Sequence, residues 1–158
     1  MAIKITRTGL FNRTFDFVDG SDTVGKLRVG WFGISDEANF ELSIDNTVSF
    51  YREPISLGKF KMHRGSIPIA LAIEDSPDYP NVNIKYSEKD YFLRRDSQLG
   101  KTYSLFHGKI PCGSIYKDDD GESYATLNVI KGLPKDLLAF CFWIIMFYWR
   151  GRGIPSPG

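Results

Sequence analysis

The chain has 158 residues, 42% of them hydrophobic and 25% charged, an ordinary globular composition with enough length for one domain and a sizeable core. Twenty basic residues stand against nineteen acidic ones, so the basic excess of a dedicated nucleic-acid binder is missing and no nucleic-acid partner is expected. Two cysteines, Cys112 and Cys141, make no disulfide framework. The opening MAIKITRTGLFNRT has no apolar h-region, which predicts no signal peptide and a cytoplasmic setting, and leaves the Asn12-Arg13-Thr14 sequon without consequence.

Up to Leu133 the chain reads as strands. Glycine and proline punctuate it too often for long helices, and apolar residues alternate with polar ones. In order, the candidates are Ala2–Thr6, Thr14–Val18, Thr23–Phe32, Asn39–Ile44, Thr47–Arg52 and Ile55–Met62. Ser66–Ile73, Asn81–Tyr86, Asp90–Arg95, Lys101–His107, Lys109–Lys117 and Glu122–Ile130 complete the set. Asp19-Gly20, Asp45-Asn46 and Ser87-Glu88-Lys89 supply hairpin turns, Ser76–Pro80 a loop and Asp118–Gly121 an acidic turn. About a dozen short strands at this spacing predict an antiparallel sandwich or barrel. Gly-Lys recurs at Gly25-Lys26, Gly58-Lys59, Gly100-Lys101 and Gly108-Lys109, near strand starts, where glycine permits a bulge or bend.

Leu137–Trp149, LLAFCFWIIMFYW, carries no charge. Pro134 suits a first helical turn, and Arg150-Gly151-Arg152-Gly153 reads as a stop, so one helix is predicted over 134–150, apolar on every face. Such a helix must be surrounded, by protein or by lipid. Its thirteen apolar residues reach roughly 20 Å at about 1.5 Å each, short of about 30 Å of hydrocarbon. Enclosure by protein is therefore the first expectation and a short tail anchor, with Arg150 and Arg152 snorkelling, the alternative. A twelve-stranded barrel has an interior too wide for side chains alone, and the helix fills it. The fold expected is an all-β, about twelve-stranded closed antiparallel barrel around a hydrophobic C-terminal helix, one domain over 1–150, with a disordered tail over 151–158.

Leu133–Arg150 (LPKDLLAFCFWIIMFYWR) and Phe15–Gly25 (FDFVDGSDTVG) carry a resemblance. The chain resembles the tubby carboxy-terminal domain superfamily, which includes the phospholipid scramblases and the LURP-one-related proteins. Ala139-Phe140-Cys141 is similar to the run in the terminal tubby helix. Pro134-Lys135-Asp136 is similar to the Pro-x-Asp ahead of the scramblase helix, and the Asp-Gly turn followed by Val-Gly to a pattern of the scramblase and LURP-one branches. The resemblance implies a twelve-stranded barrel closed around its last helix. It does not extend to calcium, because Thr126–Gly132 (TLNVIKG) has no carboxylate where scramblases carry an acidic segment. The cysteine-rich and proline-rich segments of scramblases are also missing. Tubby proteins bind phosphoinositides through basic residues on the barrel wall, a part that Lys59 and Lys61 would take.

Catalytic and metal chemistry find little support. Gly100-Lys101-Thr102 lacks the first glycine of a phosphate loop, since Arg95 stands there, and reads as a strand start. Asp118–Glu122 fails as a calcium loop, with Tyr116 and Leu127 at ligand positions, and reads as a solvated turn. His63 and His107 have no metal spacing. His107 and Cys112 fall on opposite faces of an extended chain unless a turn at Gly108 refolds it. Trp31, Phe32, Trp143, Tyr148 and Trp149 suit an interfacial belt or, for the helix members, core packing. No enzyme activity, cofactor or metal is expected.

The basic residues carry the functional expectation. Lys26 and Arg28 alternate on one strand and Lys59 and Lys61 on another, with Arg64, Arg94 and Arg95 adding to the supply. If two of these strands are neighbours, their cations form an anion-attracting patch; the bland reading is solvated strand faces and protected edges. The expectation is a non-enzymatic module binding anionic phospholipid (phosphoinositide) headgroups at a membrane surface, with Lys59 and Lys61 first and Lys26 and Arg28 next. The alternative is a structural or protein-interaction domain without a ligand site, and after it the tail-anchored protein.

Overall fold

The computed structural model describes residues 1–9, 13–30, 37–53, 58–75, 81–96, 100–119 and 121–149. Within them the strands are β1 (Ala2–Thr8), β2 (Thr14–Asp19), β3 (Asp22–Val29), β4 (Glu37–Ser43), β5 (Asn46–Arg52) and β6 (Lys59–Arg64). They continue as β7 (Ile67–Glu74), β8 (Val82–Tyr86), β9 (Lys89–Arg95), β10 (Thr102–His107), β11 (Ile110–Lys117) and β12 (Ala125–Val129). One helix, α1 (Lys135–Trp149), follows. Each strand pairs antiparallel with the next, and β12 pairs with β1, so the sheet closes into a barrel without an edge. The expected twelve strands and last helix are all present. The tail over 151–158, Trp31 and Phe32, the Ser76–Pro80 loop and the arginine stop of the helix lie outside the described residues.

Alternation decides which side chains face the lumen. Ile3 and Ile5, Phe15 and Phe17, Phe60 and Met62, and Tyr103 and Leu105 are buried, while their neighbours in the strand are more exposed. Into this lining fits α1, with twelve of its fifteen residues buried on all faces. The Phe142 ring lies 5.4 Å from Phe15 and 5.7 Å from Phe17. Phe140 lies 5.2 Å from Phe50, and Trp143 lies 5.7 Å from Phe60. At the far side Tyr148 donates to Glu74 on β7, and Trp149 Nε1 donates to the Gly100 carbonyl. The helix is thus encircled, which is the enclosure expected of a segment with no polar face. Trp143, Tyr148 and Trp149 are packing residues here. No helix among the described residues is long and apolar enough to cross a membrane, and the surround of α1 is protein.

The two mouths differ. At one, short turns join β2 to β3, β4 to β5, β6 to β7, β8 to β9 and β10 to β11, and α1 begins there. The turn between β4 and β5 falls at Ile44-Asp45 rather than Asp45-Asn46, with Asn46 already paired to Ser43. Ser87, at φ 55°, is a non-glycine residue in the left-handed region and closes the turn between β8 and β9. Of the Gly-Lys positions, Gly25 has a steric reason: a Cβ there would lie 2.2 Å from Phe40 Cζ, beside a bulge in the β2–β3 ladder.

Deleting everything after Gly132 removes the helix that fills the lumen. Each large side chain that leaves forfeits about 1.5–3 kcal/mol of burial, and the barrel lining becomes wet. The expected outcome is a shortened chain that aggregates or binds hydrophobic dye in a detergent-free preparation; size-exclusion chromatography showing a monodisperse, better-behaved truncation would contradict enclosure.

Candidate functional site

The four expected cations occupy two sectors of the outer wall. β3 pairs with β2 and β4, and β6 with β5 and β7, so two strands separate Lys26 and Arg28 from Lys59 and Lys61. The single patch expected if those strands were neighbours is not formed. Lys26 Nζ lies 3.6 Å from Asp16 Oδ1, and Arg28 Nη1 lies 2.9 Å from Glu41 Oε2. Both belong to a ladder of alternating charge across β2, β3 and β4.

The β6 sector is different. Lys61 pairs with Glu53 Oε1 at 2.5 Å, just past the end of β5. The hydrogen bond holds the Glu53 carboxyl below its ordinary range, and the same bond holds the Lys61 ammonium above its own. Lys59 makes no ion pair among the described residues, although its charge also acts on Glu53. Register then carries the pattern onward: Lys61 stands opposite Leu71 on β7, and Leu71 opposite Lys85 on β8. Two lysines therefore flank one leucine on the outer face. Around them lies a groove of about 380 Å³, lined by Lys61, His63, Ile69, Leu71, Lys85 and Ser87 among others. Its floor is apolar and its flanks are cationic. Lys85 is exposed and unpaired among the described residues. His63 Nε2 lies 3.0 Å from the Tyr51 hydroxyl, with the two rings 5.1 Å apart, so His63 is held on the outer wall.

Lys85 was not among the expected site residues. A lone lysine in the short strand VNIKY repeats no pattern; only the pairing of β7 with both β6 and β8 brings it to Leu71. Arg94 and Arg95 lie elsewhere, Arg94 paired with Asp96 at 3.2 Å. Arg64 reaches the helix entrance, with Nη2 3.5 Å from Asp136 Oδ2.

That entrance is the most built polar cluster of the described barrel. Asp136 is 5% exposed. Its Oδ1 accepts from the Tyr86 hydroxyl at 2.8 Å and from the Leu137 amide at 2.8 Å. A buried carboxylate at a helix N-terminus is favoured by the helix dipole and requires partners, and these three groups supply them. Burial first, then the bond to Asp136, push the Tyr86 hydroxyl well above the usual phenol range. Because every one of its described partners is spoken for by architecture, the cluster reads as the fixture that holds α1 in the mouth.

The remaining chemistry-bearing residues fall apart in space or are occupied. The chain does turn at Gly108, at φ 62°, pairing His107 with Ile110. Cys112 is nevertheless buried, donates its thiol to the Leu105 carbonyl at 3.4 Å, and is pushed up in pKa by burial. His107 is exposed and stacks on Tyr91 at 4.7 Å. Cys141 is enclosed in the helix, and burial raises its thiol too. Lys101 pairs with Asp119 at 3.1 Å beside the β10 start. Asp118 accepts from Ser123 and from Thr126. Among the described residues no group of three or more His, Cys, Asp or Glu side chains is placed to hold a metal ion.

Comparison with family models, with curated proteins and with solved structures finds no match for this chain.

The Tyr86–Asp136 bond sets a pH dependence. With its pKa raised in the fold, Tyr86 keeps its proton where the unfolded chain loses it, above about pH 10. Its contribution is complete below that pH and is lost as pH rises further. Urea unfolding at pH 8 and at about pH 10.5 should show stability falling on alkalinisation, and Tyr86→Phe should flatten that fall; an unchanged slope would detach Tyr86 from the effect.

Proposed function

We propose that the chain is a non-enzymatic barrel module of the tubby-like kind that docks on membrane surfaces carrying anionic phospholipid headgroups. The observation that carries this reading is Leu71 flanked in register by Lys61 and Lys85 over an apolar groove on the outer wall. An ammonium on either side suits phosphate as a point charge, and the apolar floor suits the glycerol and acyl portion beneath it. Lys59 extends the cationic side on the same face of β6. The lumen is occupied by α1, so recognition falls to the exterior. The tubby-like order of elements, twelve strands and then one enclosed helix, supports the same reading through the resemblance, and fold alone does not specify function. Lys26 and Arg28, paired with Asp16 and Glu41, are secondary in it.

Two lysines near an anionic surface contribute about 2 kcal/mol, roughly thirtyfold in partitioning, and the contribution weakens as salt shortens the Debye length below about 10 Å. Lys61→Glu with Lys85→Glu should therefore lower co-sedimentation with phosphoinositide-containing vesicles by at least that factor while leaving thermal unfolding in place. Glu53→Gln should act in the opposite direction, because it releases Lys61 from its carboxylate. Unchanged binding in both variants would reject the groove; a wild-type chain that stays in the supernatant with every vesicle would favour the domain without a ligand site.

A further inference from the structure

Large exposed apolar side chains are unevenly placed on this barrel. Six stand out among the described residues, and five of them are at the mouth where α1 enters: Met1, Ile44, Ile67, Ile110 and Ile130. Scattered exposed hydrophobics need no explanation, but these occupy hairpin tips and strand ends, positions where polar turn residues are the rule. Ile110 is 69% exposed and Ile130 55%. The two are neighbours, since the Ile130 amide donates to the carbonyl of Cys112, two residues beyond Ile110. Pro111, also exposed, lies between.

Charge distinguishes this rim. Lys109 precedes Ile110, Lys131 follows Ile130, and Lys135 opens the helix. Across the ends of β10, β11, β12 and β1 at this mouth, Asp136 is the one carboxylate among the described residues, and it is buried. Asp90 and Asp19 stand one strand beyond on either side. In a chain of near-zero net charge, a sector with three lysines around exposed isoleucines is a local composition, not a general one. Cations interleaved with aliphatic tips suit the interfacial layer of an anionic bilayer, where the tips leave water and the ammonium groups meet phosphate. A second copy of the same sector would bring lysine against lysine.

We infer that this rim is the face by which the barrel lies on an anionic bilayer: the barrel stands end-on, with Ile110 and Ile130 in the interfacial layer and Lys109, Lys131 and Lys135 around them. The inference rests on the membrane-surface reading and deepens it. The wall groove reaches toward the same mouth, through Pro68 and Ser87, so an end-on barrel brings Lys61 and Lys85 toward headgroup depth.

The test uses the full chain with Ile110→Cys carrying an environment-sensitive dye; Cys112 and Cys141 are buried and stay unlabelled. Lys101→Cys, at the opposite mouth, is the control. On phosphatidylcholine vesicles containing phosphatidylserine, the dye at position 110 should shift to the blue and be quenched by brominated lipid chains, and the dye at position 101 should not. Ile110→Ser with Ile130→Ser should weaken partitioning by roughly tenfold at unchanged Tm. A chain that sediments with these vesicles while position 110 stays in water overturns the end-on rim and leaves the wall groove standing. No sedimentation with any anionic vesicle, phosphoinositide included, overturns both. Self-association without vesicles that the double serine variant abolishes would make the rim an interface between copies and overturn the inference.

Discussion

The structure depends on the mutual enclosure of an all-apolar helix and a barrel too wide to fill itself. Neither part covers its apolar surface without the other. The lining set by strand alternation needs a partner at its centre, and α1 has no face to offer solvent. Hydrophobic burial is non-directional, so it explains why the helix is inside but not how far along the axis it sits. The polar atoms at its two ends supply that. Asp136 meets Tyr86 and Arg64 of the wall at one mouth, and Tyr148 and Trp149 meet Glu74 and the Gly100 carbonyl at the other. A slide of one helical turn, about 5.4 Å, would strip both sets of partners and leave a carboxylate in the lumen.

Enclosure also dictates where chemistry can happen. A lumen filled by Phe140, Phe142, Trp143, Ile144 and Ile145 is spent on stability. Recognition must use the wall or the mouths. The meander makes those mouths unequal. With an even number of strands, β12 ends at the mouth where β1 begins, and only Ile130–Pro134 separates it from the helix. The chain must therefore enter the lumen at the mouth formed by tight turns. The lysines of that short connection are carried to this mouth by topology.

Much of this was legible in the chain. The strands were marked by alternation with turn residues between them, and the helix by an uncharged run too short to span a bilayer. Boundaries moved where two cues competed. The strand expected over Ile55–Met62, of which 55–57 lie outside the described residues, ends at Arg64 because β6 runs on to its own hairpin, and the β4–β5 turn slid to Ile44-Asp45 because Asn46 already pairs with Ser43. The site was less legible, because alternation assigns a residue to a face and not to a neighbour. Lys61 and Lys85 are 24 positions apart in sequence, and Leu71 comes between them only through the β6–β7 and β7–β8 registers. Likewise Lys61 and Glu53 meet through the antiparallel pairing of β5 with β6, which no local pattern encodes. The like-charged strands β3 and β6 could form one patch only as neighbours, and the meander puts β4 and β5 between them.

That separation explains how a chain with 20 basic and 19 acidic residues can still present an anion-attracting surface. At about 0.1 M salt a charge is felt over only about 10 Å, less than the width of a barrel this size. Net charge is then a poor guide, and the sector is the relevant unit. On β2, β3 and β4 the two cations, Lys26 and Arg28, stand among five carboxylates, so that sector has no positive excess. On β6 to β8 one lysine is paired, a second is exposed without a partner among the described residues, and an apolar strip lies between. At the helix mouth three lysines surround aliphatic tips with their nearest exposed carboxylates a strand away. The same overall balance is thus compatible with two cationic, partly apolar sectors, and both lie toward the mouth through which the helix enters.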